Sequence, residues 1–172
     1  MAVRIALALI ALFALARPCR AEISSDWEVM KVHHELVDTV GETTEAIADL
    51  KEKAAFQRNL SLNARQVTGI RFVIHWKAPS TGIPKFAVKI EARGVVPATN
   101  EETWKEIIKL YKETPSFSGW TYADIKGDDL AKFGRVMAWK VTLLQNGKPM
   151  ATRDSFTWDD AAAVAARNKD KP

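Results

Sequence analysis

Three groups of residues in this 172-residue chain have the types that chemistry uses. The first is His33-His34, followed by Asp38 and Glu42. On a helix, adjacent side chains point about 100° apart, so the two imidazoles cannot chelate one metal, although His34 and Asp38 could share a face. A single helix without a rigid third ligand makes a poor metal site, and the stretch reads as a solvated charged stripe. The second group is Asp124, Asp128 and Asp129 in "DIKGDD". It lacks the alternating oxygen ligands and closing Glu of a calcium loop, and reads as a turn with Asp128 as a helix N-cap. No Gly-x-Ser-x-Gly elbow and no Gly-rich phosphate loop occurs. No catalytic residue, metal or cofactor is expected from these patterns.

The third group is basic. Arg71, His75, Lys85, Lys89 and Arg93 alternate along two strand-like segments, with Glu91 as the one acidic member. Lys140 and Arg153 extend this surface if a later hairpin joins the same sheet. Arg71, His75, Lys89, Arg93, Lys140 and Arg153 are therefore the candidate binding residues. The chemistry they offer is salt-sensitive attraction for an anionic glycan or cell-envelope polymer.

The elements that must position these residues follow from hydrophobic period. In "QVTGIRFVIHW", Ile70, Phe72, Ile74 and Trp76 share one face, and in "KFAVKIEARGV" so do Phe86, Val88, Ile90 and Ala92. Alternation across the Pro/Gly-containing "KAPSTGIP" predicts an antiparallel pair with one buried face. The segment 100–113, "NEETWKEIIKLYKE", predicts a helix, with Thr99 and Glu102 as a capping box and Pro115 as its stop. Between Trp139 and Trp158, Asn146-Gly147 predicts a hairpin. Pairing Gln145 with Lys148 then sets Lys140 opposite Arg153, a like-charge pair, and leaves Asp154 on the apolar face.

Ahead of the strands, Val29, His33, Leu36, Val40, Thr43, Ile47, Leu50 and Ala54 fall at alternating spacings of four and three. That predicts a long amphipathic helix over 22–65, with 25–57 as a candidate coiled coil for self-association or a protein partner, or with its apolar stripe packed on the chain's own domain, the commoner fate of such a stripe. Gly41 weakens it by up to ~1 kcal/mol. The fold class expected is α+β: this helix, then a four- to five-stranded antiparallel sheet over 66–160 with the 100–113 helix inserted. A small β-sandwich with an N-terminal helix is the alternative. The tail 161–172 is too polar and charged to stay ordered.

Residues 1–21 have the basic, apolar, small-residue order of a signal peptide, with cleavage after Ala21 preferred. The apolar run Ile5–Ala16 would measure about 18 Å as a helix, too short to span ~30 Å of hydrocarbon, so no permanent membrane span is expected. Cleavage would remove Cys19, the single cysteine, and leave 22 basic residues against 21 acidic ones, a balance that speaks against nucleic acid as a partner. The chain is thus expected to be exported, periplasmic or extracellular, and non-enzymatic. It would act by protein association through the acidic helix and basic sheet face, or alternatively by binding an anionic glycan or cell-envelope polymer.

Overall fold

A computed structural model describes residues 27–44, 47–79, 84–113 and 117–158. The expected signal segment 1–21 and the tail 161–172 lie outside them. In chain order the elements are β1 (Glu28–Val37), α1 (Leu50–Leu62), β2 (Gly69–Lys77), β3 (Pro84–Val96), β4 (Glu101–Glu113), β5 (Ser118–Lys126), α2 (Asp128–Phe133), β6 (Arg135–Gln145) and β7 (Lys148–Asp154). They form two antiparallel sheets, one of three strands in the order β1-β2-β5 and one of four in the order β4-β3-β6-β7.

Alternation dictates how the sheets meet. Ile70, Phe72, Ile74 and Trp76 of β2 and Phe86, Val88, Ile90 and Ala92 of β3 are all buried and belong to one core with Val141 and Leu143 of β6. At one end Trp76 meets Phe86 edge-on with ring centroids 4.9 Å apart, and Phe86 stacks on Tyr111 at 4.5 Å. The indole NH of Trp76 donates to Thr121 Oγ1 at 2.9 Å, and the same oxygen lies 2.7 Å from the Tyr111 hydroxyl. One threonine of β5 thus satisfies buried polar atoms from both sheets, which apolar burial alone would leave costly.

Several expectations are corrected here. The α+β class, with or without its sandwich alternative, required a long N-terminal helix; the described residues are mostly β, and residues 28–37 are a strand. The misleading spacing has a cause. The β1–β2 register shifts between Val29 and Lys31, so Met30 is an extra residue and the inward-facing positions run 29, 32, 34, 36. That mixture of threes and twos imitates helical spacing. Beyond Val37 the Asp38 carboxylate accepts from the backbone NH of Val40 and Glu42, and Gly41 takes φ +86°, closing a turn that no helix could continue through. Of the expected seam, Val40 and Leu50 are each 79% exposed. Among the described residues of this stretch the α-helix is α1, capped by the Asp49 carboxylate on the backbone NH of Lys51 and Glu52.

The helix expected at 100–113 is instead β4, an edge strand paired with β3 along almost its whole length. Trp104, Ile107, Ile108 and Tyr111 suit a strand as well as a helix, and the ladder to β3 outweighs the capping box. The expected single sheet is divided, since β2 and β3 stand in different sheets.

The Asn146-Gly147 hairpin forms, with both residues at positive φ. Its register starts at Gln145–Lys148 and then shifts between Leu143 and Leu144. That bulge places Lys140 opposite Asp154 and Val141 opposite Arg153, so the like-charge pair becomes an opposite-charge pair and Asp154 leaves the apolar side.

Two side chains manage the sandwich edge at β1. Gln57 of α1 accepts from the Leu36 NH at 2.8 Å and donates to the Leu36 carbonyl at 3.0 Å, acting as one residue of a further strand. Arg153 of β7 donates to the Val29 carbonyl at 3.2 Å and to that of Met30, tying the two sheets together at the bulge.

Thr121→Val retains the shape of this core but removes the acceptor for Trp76. It is expected to lower unfolding free energy in urea by about 1–3 kcal/mol, whereas Thr121→Ser, which keeps the hydroxyl, costs less.

Candidate functional site

The β1-β2-β5 sheet turns an outer face away from the core, and its residues follow from register. Arg71, Val73 and His75 of β2 lie between His33 and Glu35 of β1 on one side and Trp120, Tyr122 and Asp124 of β5 on the other. The segment after β1 folds back over this face, so that the Thr44 backbone NH donates to Glu35 Oε2 at 3.2 Å. Two cavities of about 300 and 390 Å³ result. Both are lined by Lys31, His33, Glu35, Thr44 and Lys53, which makes them two ends of one groove. Trp120 and Tyr122 border the first, and Ala54 and Gln57 of α1 the second.

Aromatic surface is concentrated at one end of the groove. Trp120 is 46% and Tyr122 43% exposed, and the Trp120 ring lies parallel to that of His75, 4.4 Å apart at 7°. On the β1 side, His33 Nε2 lies 3.1 Å from Glu35 Oε1, while His33 Nδ1 is buried without a hydrogen-bond partner among the described residues. Burial works to raise the Glu35 pKa, but hydrogen bonds from the side chain and backbone of Thr44, with the neighbouring His33, outweigh it and hold the carboxyl below its ordinary value. Lys31 and Lys53 have no acidic partner among the described residues.

The six residues singled out in the sequence do not form one surface. Arg71 and His75 lie on this outer face. Arg71 is committed to Asp124, with Nε to Oδ1 at 2.8 Å and Nη2 to Oδ2 at 3.1 Å. Lys89, Arg93 and Lys140 lie on the outer face of the β4-β3-β6-β7 sheet, across the sandwich. There Lys89 sits 2.9 Å from Glu106 and 3.3 Å from Glu91, and Arg93 is 3.1 Å from Glu102. Lys140 lies over the Trp158 ring, 5.9 Å from its centroid. Arg153 is the edge tie between β7 and β1. Glu106 and Glu102, which face Lys89 and Arg93, come from β4, which as a helix would have carried them elsewhere.

Lys31, His33, Glu35, Lys53, Trp120 and Tyr122 were not in the sequence-derived set. A signal for two of them was present: in "GWTYADI", Trp120, Tyr122 and Asp124 alternate with Thr121, Ala123 and Ile125, the pattern of a half-buried strand. The groove's β1 side could not be found while 28–37 read as helix. Among the described residues, no three His, Cys, Asp or Glu side chains come together as a metal would require. None of their helices is long and apolar enough to cross a membrane.

No protein-family model and no curated protein matches the chain. Among solved structures, a crystal structure from Akkermansia muciniphila is similar at 14% identity with a TM-score of 0.46, covering 81% of this chain and 74% of that one. A likeness at that level carries no argument about this molecule.

The Arg71–Asp124 pair generates a pH dependence. The Arg71 guanidinium holds the Asp124 carboxyl below its ordinary value of 3.8, with Lys126 assisting against burial. Its contribution is therefore complete above that pH and lost as pH falls through the depressed folded value. Asp124→Asn is expected to lower stability at pH 7 by about 1 kcal/mol or less and to flatten the acid limb below pH 4 in urea titrations.

Proposed function

We infer that the chain is an exported binding module, without catalysis, whose groove on the β1-β2-β5 sheet takes an acidic glycan. The observation that carries this reading is the flat His75–Trp120 stack beside Tyr122, in a groove that also presents Lys31 and Lys53. A sugar ring has an apolar C–H face, which suits an exposed aromatic plane, and hydroxyls that the remaining lone pairs of the Glu35 carboxylate can engage. The carboxylates of a uronic acid polymer meet the two lysines. Binding rather than catalysis is favoured on the β1 side because His33 has one ring nitrogen on Glu35 and the other buried, leaving that imidazole no nitrogen to exchange a proton with a groove ligand. Export rests on the charge and hydropathy order of residues 1–21.

Affinity electrophoresis of the full chain through gels containing polygalacturonate tests this reading. The expected result is retardation at low salt that fades as salt rises. Trp120→Ala should weaken it about tenfold, the size of loss an aromatic anchor causes, and Lys31→Glu with Lys53→Glu should weaken it at least as much. Lys89→Glu with Arg93→Glu, across the sandwich, should change nothing. Retardation indifferent to the groove substitutions would sink the idea.

Protein association remains the second reading, now with a different surface. On β4, Trp104, Ile108 and Leu110 project outward at 48%, 48% and 81% exposure, an apolar row on an edge strand. Leu110→Glu should abolish any concentration-dependent oligomer seen in sedimentation equilibrium; an oligomer unaffected by it, or none in the parent chain, would remove this surface from consideration.

A further inference from the structure

At the end of the sandwich where β1 stops, the sheets separate and α1 and α2 lie near the gap. The space there has a volume of about 400 Å³ and is lined chiefly by Leu36, Leu60, Val67, Ile70, Leu130 and Val136. Leu60 and Ile70 are each only 3% exposed, so the floor belongs to the packed interior. The volume falls in the range of about 300–1,000 Å³ typical of small-ligand sites, near its lower end. We propose that this cavity is a binding site for a free aliphatic monocarboxylate, with the chain in the apolar cavity and the carboxylate on Arg135 at its rim.

The charges around the cavity select this ligand class. Arg135, at the first position of β6, is exposed and has no acidic partner among the described residues. A guanidinium matches a carboxylate through two parallel hydrogen bonds. His34 also lines the cavity, beside Phe72 with ring centroids 6.0 Å apart. Burial pushes its pKa down, and the neighbouring His33 pushes it further, so at neutral pH it is an uncharged hydrogen-bonding group. Ser61 adds a hydroxyl on the side of α1. One cation and two neutral polar groups beside an apolar cavity fit a ligand with a single anionic end. A sugar or dicarboxylate would leave polar groups without partners among Leu60, Ile70 and Val136. A two-chain lipid exceeds the volume.

Isothermal titration of the full chain with straight-chain carboxylates from hexanoate to tetradecanoate tests the proposal. Matched alcohols and alkyltrimethylammonium ions serve as controls. Affinity should rise about fourfold for each methylene that enters the cavity and level off once it is full. Carboxylates should bind about tenfold more tightly than alcohols of equal length, and alkyltrimethylammonium ions more weakly still. Arg135→Gln should remove the preference for carboxylate while leaving alcohol binding intact. Ser61→Phe, a change at an exposed helix position that should leave the melting temperature unaltered, should block all three ligand types. Absence of binding at every chain length would overturn the proposal. So would equal affinity for carboxylate and ammonium ligands, a carboxylate preference that persists in Arg135→Gln, or binding undiminished in a folded Ser61→Phe chain. None of these outcomes bears on polygalacturonate retention, which reads Trp120 and the groove lysines.

Discussion

The hydroxyl of Thr121 is the point on which the two sheets agree. It receives the indole NH of Trp76 from its own sheet and hydrogen-bonds the phenol of Tyr111 from the opposite one. Trp76, fully buried, can fill the space against Phe86 only because its one polar atom finds that oxygen. Tyr111 sits on β4, so the same bond helps hold the edge of the four-stranded sheet against the three-stranded one. With no disulfide among the described residues, interdigitation of these inner faces and a few satisfied polar atoms supply the cohesion.

A sandwich of two open sheets has edges to manage, and much of this protein's polar chemistry goes there. Gln57 occupies the free NH and carbonyl of Leu36, and Arg153 reaches from β7 to the carbonyls beside the Met30 bulge. Lys105 of β4 pairs with Asp129 of α2 at 2.7 Å. On the sheet faces, Arg71, Lys89 and Arg93 are matched to Asp124, Glu106 and Glu102 on neighbouring strands. Cations that look like a recognition surface when read along one strand are mostly neutralised once the adjacent strands are in place. Of the cations lining the groove and the end cavity, Lys31, Lys53 and Arg135 have no acidic partner among the described residues.

Legibility differed by element, for physical reasons. The strands β2, β3, β6 and β7 were plain because both the alternation and the Asn146-Gly147 turn are local. The helix expected at 100–113 failed because its propensities are nearly balanced, and pairing with β3 settled the matter. The long N-terminal helix failed because one bulged residue changed a period of two into something resembling 3.5. The candidate site suffered most, since its walls come from β1, α1 and β5, three segments that only the fold brings side by side.

By itself the sequence determined which faces of β2 and β3 would be buried, where the last hairpin turns and that its apolar residues suffice for one core. Those properties depend on a residue and its neighbours within a few positions. The tertiary structure alone decided that β2 and β3 belong to different sheets, which splits the basic residues between opposite surfaces. It also decided the one-residue shifts that exchange Arg153 for Asp154 opposite Lys140. Such choices are made by pairing between distant strands, whose free energy is a sum over many contacts and is written in no single stretch of the chain.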